Sequence, residues 1–152
     1  MKKTCFLLVI LLMAIAFCTT GCVTEEITYS VLLDTEIISF EGSRVEIGIT
    51  VDSVEKRLLS TGDVYKLDIA INTYEGRRVG DEKLTRIINK TALKFTEVNF
   101  EYDQDLFEIY TDTQTGMIFI KALAICDESP LTITTVYNGV EYLHQYLIWV
   151  RD

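Results

Sequence analysis

Leu131-Thr-Ile-Thr-Thr-Val-Tyr137, then Asn138-Gly139, then Val140-Glu-Tyr-Leu-His-Gln-Tyr-Leu-Ile-Trp-Val150: this run decides how the chain folds. Both halves are rich in β-branched and aromatic residues, which suit a pleated, half-buried surface. Asn-Gly is the pair favoured in a two-residue type I′ turn, because both central positions need positive φ. Such a turn pairs Tyr137 with Val140. The same register sets Thr135 opposite Tyr142, Ile133 opposite His144 and Leu131 opposite Tyr146. One face then gathers Leu131, Ile133, Tyr137, Val140, Tyr142, Tyr146 and Ile148, and that face is expected to form a core. Trp149 falls on the other side, under a loop or in solvent.

Upstream segments repeat the two-residue period. Val45, Ile47, Ile49 and Val51 alternate with Glu46, Gly48, Thr50 and Asp52. Tyr65, Leu67, Ile69 and Ile71 alternate with Lys66, Asp68, Ala70 and Asn72. One apolar and one polar face is the pattern of a half-buried antiparallel strand. Phe107 and Ile109 continue it. Met117 to Ile125 is apolar on both faces apart from Lys121 and reads as a central strand, and a further strand starts near Tyr29 to Leu33.

One stretch departs from the period. Asp81 to Lys94 places Leu84, Ile87, Ile88 and Thr91 at helical spacing, which allows a short helix in 81–94, or a strand from Ile87 to Phe95. Arg77, Arg78, Lys83, Arg86, Lys90 and Lys94 make this segment basic. The next one, Phe95 to Asp112, carries Glu97, Glu101, Asp103, Asp105, Glu108 and Asp112 and no base. Two such neighbours are expected to offset each other's charge on a solvated face. The sharper reading makes Arg77, Arg78, Lys83 and Arg86 a candidate binding patch on a loop held by a rigid scaffold.

About seven or eight strands, turn signals between them and no long helix give an all-β, antiparallel sandwich. With 152 residues there is room for one domain, and 49% hydrophobic residues suffice for its core. The strand pattern places that domain at 29–152.

The run Phe107-Glu-Ile-Tyr-Thr-Asp-Thr-Gln-Thr-Gly-Met-Ile-Phe-Ile-Lys-Ala-Leu, with Leu131-Thr132-Ile133-Thr134, Asn138-Gly139 and Val150 after it, resembles the bacterial immunoglobulin-like domains of surface proteins. The likeness covers about residues 98–151 and implies an Ig-like sandwich used for binding or adhesion. Asp127-Glu128-Ser129-Pro130 stands where that family usually has a Gly, and 77–94 is longer than its pattern. Asp112-Thr113-Gln114-Thr115-Gly116-Met117-Ile118 is also similar to a segment of cadherin-like repeats. That likeness raises calcium, with Asp103, Asp105 and Glu108 as oxygen donors. No dense Asp-x-Asp-x-Asp-Gly run accompanies them, and no metal site or cofactor is expected.

The first residues read separately. Met1-Lys2-Lys3 is basic, and Phe6 to Cys18 is an unbroken run of apolar or small residues, too short to span a bilayer with ease. Thr19-Thr20-Gly21-Cys22 follows. This segment resembles a bacterial lipoprotein signal peptide, residues 1–21, with cleavage after Gly21; Thr19 stands where the family prefers Leu. The resemblance implies a diacylglyceryl thioether on Cys22, usually with a third chain on its amine, and two or more chains make membrane attachment stable. Residues 22–28 would be a polar spacer between lipid and domain. The processed chain would keep 12 bases against 23 acids, a net charge of −11. That disfavours nucleic acid and binding to anionic headgroups by overall charge. Cys126 would be its one free thiol, expected to be a buried small side chain.

Chemistry finds little material. His144 is the only histidine and is expected to be a core or rim residue. Gly-x-Ser-x-Gly, His-Glu-x-x-His, Cys-x-x-Cys and phosphate-binding Gly loops are all missing. The expectation is a lipid-anchored, non-enzymatic envelope protein, exported to the cell membrane or outer membrane, with a protein or glycan partner. An accessory or assembly subunit of an envelope complex is the alternative; a small hydrolase or ligand-binding protein built on His144 comes third. Mass spectrometry of the chain recovered from its cell envelope should find Cys22 as the acylated first residue. An intact Met1 start, or an unmodified Cys22, would refute the anchor.

Overall fold

The computed structural model describes residues 25–42, 45 and 54–152. The leader 1–21, the Gly21 cleavage point and Cys22 lie outside the described residues. So does the strand expected over 45–51, apart from Val45, which is buried and whose amide donates to the Ile37 carbonyl at 3.1 Å.

Nine described strands form two layers. They are β1 (Glu25–Ile38), β2 (Val54–Ser60), β3 (Val64–Val79), β4 (Glu82–Ala92), β5 (Asn99–Glu101), β6 (Phe107–Thr111), β7 (Ile118–Ala122), β8 (Cys126–Tyr137) and β9 (Val140–Arg151). One sheet has the order β1-β3-β7-β6, with β4 also against β3; the other runs β2-β9-β8-β5. The expected all-β sandwich is what the chain forms. Among the described residues the one helical element is a single 3-10 turn, Phe95–Glu97.

The closing hairpin takes the register that its turn dictates. Tyr137 pairs with Val140, Thr135 with Tyr142, Ile133 with His144 and Leu131 with Tyr146. Asn138 and Gly139 take φ of 53° and 76°, as a type I′ turn requires. Leu131, Ile133, Tyr146, Ile148 and Val150 are fully buried. Val140 is on the same side but 53% exposed, because the hairpin tip runs past the facing sheet. From that sheet come Leu33 and Ile37 of β1, Leu67, Ile69 and Ile71 of β3, Phe107 and Ile109 of β6, and Ile118 and Ile120 of β7. β7 lies between β3 and β6, the interior place read from its two apolar faces. Its outer Phe119 stacks on Tyr110 and Phe40.

Four features differ from expectation. Of the two readings of 81–94 the helix does not form; the strand does, but over Glu82–Ala92, not Ile87 to Phe95, because Gly80, with φ 62°, turns the chain and β3 supplies a ladder from Val79↔Glu82 to Ala70↔Ala92. The helical spacing gathers no buried stripe, since all of β4 is exposed. β2 runs parallel to β9, whereas every other described pair is antiparallel. Alternation does not reveal this, because side chains alternate alike in both arrangements. Residues 25–28 of the expected spacer belong to β1 and pair with Val79 to Gly76. Cys126 is only half-buried, its Sγ 3.7 Å from the Ile148 carbonyl. Trp149 is half-buried on the outer face, with the Lys56 ammonium 4.8 Å from its ring centre.

A buried polar bridge ties the layers at their centre, and Ser60 of β2, whose amide donates to the Tyr65 hydroxyl of β3 at 2.8 Å, adds a second tie near the turn between them. The Tyr146 hydroxyl donates to the Thr35 carbonyl at 2.7 Å and accepts from the Thr35 hydroxyl at 2.6 Å, and both residues are buried. Tyr146→Phe leaves two buried groups on β1 without this partner and should cost about 1–3 kcal/mol. Urea unfolding measures it; an unchanged midpoint would show that the bridge contributes nothing.

Candidate binding surface on the β3–β4 arm

β3 is longer than the sandwich it belongs to. Its residues 64–67 pair with β7, and from Ala70 to Val79 it pairs with β4 instead. β1 follows it on the other side as far as Glu25↔Val79. Beyond Thr73, where the β3–β4 register shifts, the three strands form an arm. Residues 25–30 and 77–92 are exposed throughout. A strand with neither face buried draws its order from ladder hydrogen bonds and cross-strand pairs alone.

The four candidate bases lie on this arm, but register divides them. Side chains of directly paired residues point to the same face. Arg78 pairs with Glu26 and Lys83, whereas Arg77 pairs with Ile27 and Leu84, and Arg86 with Glu75. Arg78 and Lys83 therefore share one face, and Arg77 and Arg86 the other. Arg77 forms an ion pair with Glu25. Arg86 reaches Glu75 Oε1 through Nη2 at 3.0 Å and Nε at 3.1 Å. Arg78 Nε donates to the Gly80 carbonyl at 3.3 Å. The offsetting acids thus come from β1 and β3, not from the acidic segment 97–112 as the sequence suggested. Such exposed pairs fix side-chain positions more than they stabilise.

Arg77, Arg78 and Lys83, with Glu26 and Asp81, line a concavity of about 420 Å³. Gly76 and Thr28 form its floor. A Cβ on Gly76 would stand 2.7 Å from Thr28 Oγ1, so glycine is what lets the Thr28 side chain lie this close to β3. Apolar groups are exposed beside it on both faces: Ile27, Tyr29 and Leu84 with Arg77, and Leu32 and Ile87 with Lys83. The surface offers carboxylate and guanidinium groups, apolar patches and an edge of β4 that no described strand pairs.

A second cluster went unread in the sequence. Arg57 is fully buried, on the core side of β2, while Leu58 beside it is 52% exposed. Arg57 is paired with Glu55, donates through Nη1 to the Lys56 carbonyl at 3.0 Å, and lies 5.1 Å over the Tyr146 ring. Glu55-x-Arg57 spacing, which puts both on one strand face, was the available signal. His144 packs on Tyr146 at 4.6 Å between ring centres. Its Nε2 is buried, 3.9 Å from Glu55 Oε2, and makes no hydrogen bond. Among the described residues the carboxylate paired with His144 is that of Glu55, beyond hydrogen-bond distance.

Asp103 accepts from the Asp105 amide at 2.9 Å and its carbonyl from the Leu106 and Phe107 amides, so it organises a turn. Asp112 does the same at the β6–β7 turn. Hydrogen bonds from the Thr115 and Gln114 amides hold its carboxyl below the usual range. Among the described residues no group of three His, Cys, Asp or Glu side chains is placed to hold a metal, and no helix is long and apolar enough to cross a membrane. Compared with family models, curated proteins and solved structures, the chain matches none.

Burial, partly offset by Glu55, depresses the His144 pKa from 6.5. The folded state therefore favours neutral His144 more than the unfolded chain does. This stabilisation is complete above pH 6.5 and is lost as pH falls through the depressed folded value. Urea midpoints should drop between pH 8 and pH 5, and His144→Gln should narrow the drop. An equal drop in both proteins would remove His144 from the acid response.

Proposed function

We infer that this chain is an envelope-anchored, non-enzymatic lipoprotein whose immunoglobulin-like sandwich presents a binding module. It is held to the membrane through lipid on Cys22 and meets a protein or glycan partner through the β3–β4 arm. The observation that carries the reading is the arm itself: three strands stand clear of the core, exposed on both faces, with the concavity beside Arg78 and Lys83 on one face and Arg77 and Arg86 on the other. A strand pair that buries nothing adds no core to the fold, and loops or strands held out from a rigid body are common recognition elements. The Gly21-Cys22 ending of the leader supports the anchor.

The alternative, an accessory or assembly subunit of an envelope complex, draws on one further feature. β4 presents a long edge that no described strand pairs, the structure to which another chain can add a strand.

Reversing Arg77, Arg78, Lys83 and Arg86 to Glu together tests the arm. Pull-down from solubilised envelopes should lose the captured partner, while the circular dichroism spectrum keeps its β character. Capture at wild-type level would remove the four bases from the account.

A further inference from the structure

We propose that two copies of this chain join edge to edge, β4 of each against β6 of the other, so that their larger sheets run on into one another. The proposal deepens the reading of the arm as a binding surface and makes its partner a second copy.

The shape of the sheet edge motivates it. β1 occupies one side of β3. The other side is shared: β7 pairs with residues 64–67 and β4 with residues 70–79. β6 lies outside β7, and no described strand lies outside β4. The edge is thus stepped, two strands deep at one end and one at the other. A twofold axis normal to the sheet carries this step onto itself, and the projecting β6 of each copy enters the recess beside β4 of the other. Such an isologous contact closes on a dimer. β4 runs antiparallel to β3 and β6 parallel to it. Across the axis, β4 and the second copy's β6 run parallel.

Charge selects this pairing over others. β4 carries Lys83, Arg86 and Lys90 against one acid, Glu82. β6 carries Glu108, with Asp105 and Asp112 flanking it, and no base occurs from 95 to 112. Two β4 strands would repel each other, as would two β6 strands, whereas β4 attracts β6. Covering also removes a liability. A long edge that exposes Leu84, Ile87 and Ile88 by 62%, 50% and 45% invites strand addition unless it is paired or blunted.

The test uses the full chain in its own cells, with Cys126→Ser removing the native thiol. One copy carries Ile87→Cys and a second, differently tagged copy carries Tyr110→Cys; a short thiol cross-linker is then applied. Cross-linking should join the two tagged copies and should be absent when either variant is expressed alone. Lys83→Glu with Lys90→Glu should lower the yield at least about tenfold, and adding Asp105→Lys with Glu108→Lys should restore it. Cross-linking of Ile87→Cys to itself, failure of the charge swap to rescue, or no cross-linked dimer in any combination would overturn the pairing. In the last case, partner capture that still depends on the arm bases would leave the binding-module reading standing with a different partner.

Discussion

The contact between Tyr146 and Thr35 fixes how the two sheets of this protein face each other. Apolar burial drives the layers together but is non-directional and tolerates sliding. A hydroxyl that both donates to and accepts from one residue of the opposite sheet, at 2.7 and 2.6 Å, does not. Tyr146 belongs to β9, which the Asn138-Gly139 turn registers to β8, and Thr35 belongs to β1, which registers β3. Two local registers are thereby joined into one three-dimensional arrangement. Ile37, Leu131, Ile133 and Ile148, all fully buried, lie on the inner faces of these same strands.

The same tyrosine gives the charges beneath it a place. Its ring lies under the Arg57 guanidinium and beside the His144 imidazole, with Glu55 between the two. A buried ion pair of this kind is seldom a net source of stability, because desolvation consumes most of the attraction. What the pair accompanies is a register: β2 meets β9 with Arg57 inside and Leu58 outside, the reverse of what hydropathy prefers. Lys56 completes the outer side by covering Trp149.

Far from this centre, the arm obeys other rules. Once β3 passes Thr73 no described strand packs over it, and order comes from ladders, the Gly80 turn and ion pairs with Glu25 and Glu75. The candidate bases then act on two faces, each partly neutralised, with Arg78 and Lys83 beside the Gly76 floor and Arg77 and Arg86 opposite. Linear charge therefore overstates this patch. In sequence the six bases from 77 to 94 face only Asp81 and Glu82, because β1, which supplies Glu25 and Glu26, is some fifty residues away along the chain.

The sequence alone determined the periodic elements: the core half of β3 through Tyr65, Leu67, Ile69 and Ile71, and the closing hairpin from the Tyr137–Val140 pair to the Leu131–Tyr146 pair. Period-two burial and type I′ turn chemistry are local, so a few residues suffice to specify them. Tertiary structure decided what depends on neighbours distant in the chain. It chose strand over helix for 82–92 and started that strand at Glu82, because β3 offers a ladder there. It laid β2 parallel to β9, placed Arg57 inside, and split the four arm bases between two faces. In each case the deciding partner is a backbone or carboxylate brought close only by folding, and no local pattern of side chains encodes it.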